Sequence, residues 1–265
     1  MKRSKSNSGF LYFLEKIVRS HPLLYFVIRS FIRYTNIFEE DANGVAFLNL
    51  TEKVNIIDVG ASDGIASKFF NKKLKINKII CFEPNKAYAR ILKKLNIKNL
   101  IVNAYGISQF NKYYEIFFPR YKFFSKNLDL ITYTYYNKQT LLKQINLDFK
   151  FKKNISIVKE KIYLKKIKKM KTKIDLIKID VNGHELSVVK GLSKIIKRDK
   201  PALIIETGDD IKIIEKHLKK YGFEKGNFPV SEKFYEQEVS LPIYPVLSRE
   251  AQEVVIENIV NFVSN

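Results

Sequence analysis

The sequence has little cysteine, few acidic residues and no long apolar run. Its one cysteine, Cys81, excludes an intramolecular disulfide framework and a multi-thiolate metal site. No stretch approaches the roughly 20 apolar residues of a membrane-spanning helix. The best early run, Ser20 to Ile28, is short and flanked by Arg19 and Arg29. Met1-Lys2-Arg3-Ser4-Lys5 resembles the start of a signal peptide, but the apolar stretch Phe10 to Leu14 ends at Glu15 with no small-residue cleavage site. A cytoplasmic protein is therefore expected, which suits a free thiol. A P-loop string is also missing, as are an internal repeat and a flexible Gly/Ser linker. Hydrophobic residues make up 46% of the 265, enough for a real core, so wholesale disorder is excluded.

The shortage of acids leaves a net charge of +21. It is unevenly spread: residues 1–38 carry +6, residues 39–137 carry +6, residues 138–173 carry +11 and residues 174–265 carry −2. An anionic partner is one explanation: nucleic acid, a membrane surface or a phosphorylated acceptor. Biased composition is the other, since lysine, isoleucine and asparagine are all abundant.

Residues 10–34 read as two short amphipathic helices broken at His21-Pro22, with Pro22 in the first turn of the second. Lys16, Arg19, Arg29 and Arg33 lie among their apolar residues. Such a segment suits an anionic membrane on its inner face, or a lid packed on the main domain. From residue 54 the pattern is strand, turn, helix. Strands are expected at 54–58, 78–82, 100–103, 174–180 and 201–206, with helices at 65–74, 86–95, 185–197 and 209–221. This alternation implies βαβ units and a parallel sheet. Further strands are expected at 113–118, 155–164 and 238–247, helices at 138–147 and 250–263, and a loop at 119–137. The domain reading is a basic helical extension, residues 1–50, followed by one domain, residues 51–265.

Ile57-Asp58-Val59-Gly60-Ala61-Ser62-Asp63-Gly64 places an acid and a glycine turn between a strand and a helix. At the carboxyl end of a strand in an open α/β sheet, such a turn meets a nucleotide-like ligand. The dinucleotide fingerprint lacks its third glycine here, and Asp58 and Asp63 would repel a pyrophosphate. They suit a cationic ligand without phosphate, namely S-adenosylmethionine. Glu83, followed by Pro84, lies 25 residues after Asp58, close to the spacing of a ribose-binding acid. Asn103 and Ala104 fall where an adenine edge should pass. The stretch Lys178-Ile179-Asp180-Val181-Asn182-Gly183-His184-Glu185 clusters Asp180, His184 and Glu185 as candidate catalytic groups. Competing readings are structural: Glu185 as a helix-dipole acid, His184 as a packing residue. Glu206, Asp209 and Asp210 could line an acceptor site or cap a helix, and Tyr133, Tyr135 and Tyr136 could stack on a sugar or base or simply pack.

Together, Ile57 to Gly64, Phe82-Glu83-Pro84-Asn85 and Lys178 to Glu185 with Val189-Lys190-Gly191 resemble the FkbM family of methyltransferases over about residues 54–222. The resemblance implies a Rossmann-like class I methyltransferase fold: a mostly parallel seven-stranded sheet with helices on both faces. It implies O-methylation from S-adenosyl-L-methionine, often of sugars in polysaccharides or glycosylated natural products. Asp58, Gly60, Asp63 and Gly64 match the cofactor loop, with Ala61 and Ser62 between them; Glu83 matches the ribose acid and Asp180 the acid over the methyl. Members often carry glutamate where this chain has Asn182. A neutral amide is neither a base nor a strong hard-metal ligand, so no metal is expected and the proton is left to Asp180 or His184. Two alternatives stand: a nucleic-acid methyltransferase using the basic stretch 138–173, and an inactive cofactor-binding adaptor.

Overall fold

The computed structural model describes residues 21–35, 45, 52–150, 152–167, 169–206, 211–223 and 253–254. The chain divides into two compact units, residues 1–223 and 224–265. In the first unit, short apolar segments assemble into a five-stranded parallel sheet of order β3-β2-β1-β8-β9. These are β1 (Val54–Val59), β2 (Ile76–Phe82), β3 (Leu100–Asn103), β8 (Leu176–Ile179) and β9 (Ala202–Ile205). Ile56, Ile57, Ile79, Cys81, Leu176, Ile177 and Ile179 are completely buried. Strands covered on both faces read as unbroken apolar runs, which is why these were legible as strands. The strand order reverses between β1 and β8, so the carboxyl ends of these two strands form a switch point.

Helices α2 (Ile65–Lys73), α3 (Lys86–Lys93) and α7 (Ile211–Lys219) follow β1, β2 and β9. Asn85 caps α3, its side chain accepting from the amides of Ala87 and Tyr88. The single helix expected at 185–197 is two, α5 (Glu185–Gly191) and α6 (Ser193–Asp199), broken at Leu192. Gly191 lets this bend press against the backbone of Ser108, where a Cβ would collide with the carbonyl.

The middle of the chain departs from a seven-stranded sheet. Here β4 (Gly106–Ile107), β5 (Lys112–Phe123), β6 (Lys126–Asp129) and β7 (Ile155–Lys165) form a separate four-stranded sheet of order β4-β7-β5-β6. The expected loop at 119–137 instead continues β5, turns into β6 and ends in a 3-10 turn at Ile131–Tyr133. Its aromatic residues lack periodicity because neighbours three residues apart pack in different clusters: Tyr133 is buried with Leu141, Ile145 and Phe149, and Tyr136 packs with Ile116 and Ile162. Helix α4 (Lys138–Asp148) supplies Leu141 and Ile145.

Of the two helices expected at 10–34, the second is α1 (Pro22–Thr35); the first lies outside the described residues. Tyr25 anchors α1 edge-on to Tyr133 at 5.1 Å and Phe149 at 6.4 Å, and its hydroxyl bonds Thr132 Oγ1 at 2.7 Å. His21 Nδ1 accepts from the Leu23 amide. The strand expected at 238–247 and the helix at 250–263 also fall outside the described residues, Glu253 and Val254 apart. No described helix is long and apolar enough to cross a membrane.

Candidate active site

A cleft of about 430 Å³ opens above the carboxyl ends of β1, β2, β8 and β9. Its floor is the turn after β1. Gly60 takes φ +73° and lies against the Asp180 carbonyl, where a Cβ would collide. Ser62 and Gly64 are also left-handed, and a Cβ on Gly64 would strike Leu95 and Leu92. Gly60, Ala61, Ser62 and Asp63 line the cleft. Gly64 stands just behind them as the N-cap of α2.

Glu83 and Pro84 form an adjoining wall. Glu83 is 6% exposed; its two carboxylate oxygens accept from the Ser62 and Asn85 amides at 2.9 and 2.8 Å. It thereby ties the β1 turn to the β2 turn. Burial outweighs these two hydrogen bonds and raises its pKa to about 7. Each oxygen keeps a free lone pair, so a diol can still donate to it.

Asp58 stands directly across from Lys178 on neighbouring parallel strands. Its carboxylate is fully buried and turned away from the cleft wall. Ser67 donates to Asp58 Oδ2 at 2.7 Å, and Lys178 Nζ lies 3.7 Å from Oδ1, which accepts no hydrogen bond among the described residues. Lys178 Nζ also pairs with Asp180 Oδ2 at 3.0 Å and donates to the Gly60 carbonyl at 3.2 Å. This lysine is therefore a buried clamp joining the first strand, its turn and the third motif. Burial works against its charge, but Asp58 and Asp180 outweigh burial and raise its pKa.

Asp180 is the predicted catalytic group that reaches the cleft, with a side chain 45% exposed. Burial acts to raise its pKa, yet the Lys178 cation, with hydrogen bonds from Lys178 and Glu206, holds it below the usual carboxylate range. Glu206, at the end of β9, also lines the cleft. Burial, then the charge of Asp180, pushes its carboxyl up to about 7. Asp180 thus stays ionised near neutrality, while Glu206 keeps its proton to higher pH than an ordinary glutamate.

The remaining predicted residues are placed elsewhere. Glu185 is buried and grips the preceding turn, accepting from the amides of Val181 and Gly183 at 3.0–3.1 Å. His184 lies behind the cleft wall, stacked on Tyr136 at 4.7 Å, with Tyr114 edge-on at 5.2 Å and Ser108 Oγ at 3.4 Å. Burial and the nearby Lys112 lower its pKa, so the ring is neutral. Asn103 and Ala104 are also outside the cleft wall; Asn103 braces β3 against β2 by donating to the Cys81 carbonyl. Asn182 adopts φ +52° beside Gly183 at +95°. Asparagine is among the residues best suited to that conformation, which gives its presence there a backbone reason. Asp209 and Asp210 lie outside the described residues.

Two contributors were missed. Arg29, from α1, reaches the cleft and pairs with Asp63, Nε to Oδ2 at 3.2 Å and a second nitrogen to Oδ1 at 3.3 Å. Asp63 is thus already charge-paired from across the chain. Lys178 carried a readable signal: it is a lone cation inside an otherwise apolar buried strand.

The profile of the methyltransferase FkbM domain matches residues 58–225. The chain belongs to the FkbM methyltransferase family. Among solved structures, methyltransferase FkbM from Methylobacillus flagellatus KT aligns with a TM-score of 0.40 and 16% identity, over 66% of this chain and 38% of that one. The plantazolicin methyltransferase BpumL, solved in complex with SAH, aligns with a TM-score of 0.27 and 15% identity, over 54% of this chain and 58% of that one. This FkbM domain thus spans well under half the length of the first of these relatives. No curated protein matches the chain.

Proposed function

We propose that this FkbM protein is an S-adenosylmethionine-dependent O-methyltransferase acting on a hydroxyl of a sugar, glycan or other small molecule. The observation that carries this reading is the cleft itself: an acid-walled hollow at the switch point of a parallel sheet, floored by a left-handed glycine turn and walled by Glu83. Its volume lies within the usual range for ligand sites, about 300–1,000 Å³. The donor set fits the cofactor. Glu83 would accept from the ribose diol, Gly60 to Ser62 would allow close backbone approach, and ionised Asp180 would offer its charge to the cationic part of the cofactor. Lys178 is neutralised by two carboxylates, so the floor offers no phosphate anchor.

When bound, the cofactor supplies an electrophilic methyl carbon on a sulfonium. The chain must align the acceptor oxygen with it and take away the hydroxyl proton. Ile131, Thr132, Thr134 and Tyr136 line the cleft and form its acceptor side. Glu206 takes the proton, its pKa near the working pH, while ionised Asp180 orients the acceptor. His184 acts by holding the Tyr136 ring and Glu185 by holding the turn. The catalytic domain is residues 51–265, residues 1–50 with α1 are its N-terminal extension, and the location is cytoplasmic.

Isothermal titration with S-adenosylhomocysteine tests the reading. The wild type should bind, and Glu83→Ala should bind at least tenfold more weakly. Equal affinity in both proteins would sink the assignment.

A further inference from the structure

The second sheet has one half-face that the proposed chemistry does not use. Its central strands, β5 and β7, pair Tyr113 directly with Tyr163. The rings stand side by side, centroids 5.0 Å apart, and are 62% and 37% exposed. Along β7 the residues alternate: Lys161, Tyr163 and Lys165 are exposed, while Ile162 and Leu164 are buried. Lys161 Nζ lies 4.9 Å from the Tyr113 centroid. Ile116 and Ile162, on the opposite face by strand alternation, line the cleft. Tyr113 and Tyr163 therefore point away from the proposed methyl-transfer site. Further along, the same outer face is covered where Phe117, Ile155 and Ile157 pack on the cluster containing Leu141 and Phe149, so only the tyrosine half is open.

Two large rings left in water on the middle strands of a sheet are a loss of burial that packing does not explain. The surrounding charge is one-sided. Strand alternation sets Lys159, Lys161 and Lys165 on this half-face against Glu115, which Lys159 engages at 2.7 Å. Alternate residues on a strand are about 7 Å apart, so Lys161 and Lys165 stand about 13 Å apart with Tyr163 between them, the Lys165 ammonium lying 5.4 Å from the Tyr105 ring centroid. Flat rings with flanking cations suit bases and phosphates of an unpaired strand. A polyol would need amide or carboxylate partners, and those at this half-face are engaged, Glu115 by Lys159 and Asn111 Oδ1 by the Lys166 amide.

From this juxtaposition we infer that the open half of the outer β5–β7 face binds single-stranded nucleic acid, bases stacking on Tyr113 and Tyr163 and phosphates meeting Lys161 and Lys165. The bound strand is a tether on the side away from the cleft, not the methyl acceptor.

Fluorescence anisotropy of a labelled short oligouridylate, titrated with the full chain across a salt series, tests this without cofactor. The wild type should bind the single strand more tightly than a duplex of the same length. Tyr113→Ala/Tyr163→Ala should lose about tenfold or more, and Tyr113→Phe/Tyr163→Phe should retain affinity. Lys161→Ala/Lys165→Ala should reduce the salt slope by about 1.4. Equal binding of duplex and single strand, or wild-type affinity in the alanine pair, would reduce the face to general charge attraction and overturn the inference. Binding of polygalacturonate with none of oligouridylate would assign the face to an acidic glycan instead, and binding of neither would remove the site. Circular dichroism and S-adenosylhomocysteine titration of each variant report fold and cleft separately, so failure here leaves the proposed methyl transfer standing.

Discussion

Lys178 occupies the middle of a buried strand, where a cation lacks bulk water and depends on Asp58 and Asp180 for compensation. Lys178→Met removes that charge and leaves two carboxylates facing each other. Breaking a buried pair in this way costs about 3–5 kcal/mol. Urea denaturation at neutral pH should register a loss of that size; less than about 1 kcal/mol would mean that the clamp contributes little. Glu206 makes a different prediction. A base must be deprotonated to act, so the methyl-transfer rate should rise with pH through about 7 as Glu206 ionises. Glu206→Gln should lose both the rate and that limb of the profile, whereas His184→Ala should keep the limb. Retention of the limb in Glu206→Gln would assign the proton to another group.

Helix α1 shows why an element cannot be read by its own pattern alone. Its spacing marks an amphipathic helix, and its cations suit a membrane or a lid equally. In the fold, Tyr25 and Arg29 face the body of the protein, while Leu24 and Val27 are exposed. The Arg29 pairing decides what Asp63 can do, because a buried carboxylate holding a guanidinium through two hydrogen bonds is already compensated. Arg29→Ala should strand Asp63 and loosen α1, giving faster amide hydrogen exchange across Pro22–Thr35 and a stability loss of about 1–3 kcal/mol. Unchanged exchange would mean that Tyr25 alone holds the helix. The five parallel strands were legible as short, largely apolar runs, four of them closed by an acid or glycine: Gly60 after β1, Glu83 after β2, Asp180 after β8 and Glu206 after β9. Strand β5 was legible over its first half only: its continuation past Pro119 is stabilised by pairing with β6 and β7, a long-range cause that local periodicity does not record.

Over the whole molecule, two acids of raised pKa set the pH response, Glu83 buried and Glu206 exposed in the cleft. Glu83 and Glu206 have folded pKa values of about 7, above the ordinary 4.5 of a free glutamate. Between these values the folded chain holds protons that the unfolded chain has released. The stability they contribute is therefore fully present below about pH 4.5 and lost as pH rises through about 7. Asp180 acts oppositely: its folded pKa is depressed, so its contribution disappears only in stronger acid. The melting temperature should fall between pH 5 and pH 7.5, and Glu83→Gln should flatten the fall. A rise across this window would contradict the raised pKa of these carboxyls.

The charge of +21 divides along similar lines. Its sequence distribution located the basic stretch, and strand alternation brought Lys161 and Lys165 to the exposed face with Tyr163. By itself the sequence determined the parallel αβ core and the three motif blocks, because both follow from local apolar runs and turn residues. Only the tertiary structure decided which acids face the cleft. Asp58, Asp63 and Glu185 occur in the motifs alongside Asp180, yet each is satisfied by a cation, hydroxyl or amide that folding brings to it. Buried charge must be compensated, and the partners that compensate Asp58 and Asp63 include residues as distant as Lys178 and Arg29, which no local spacing reveals.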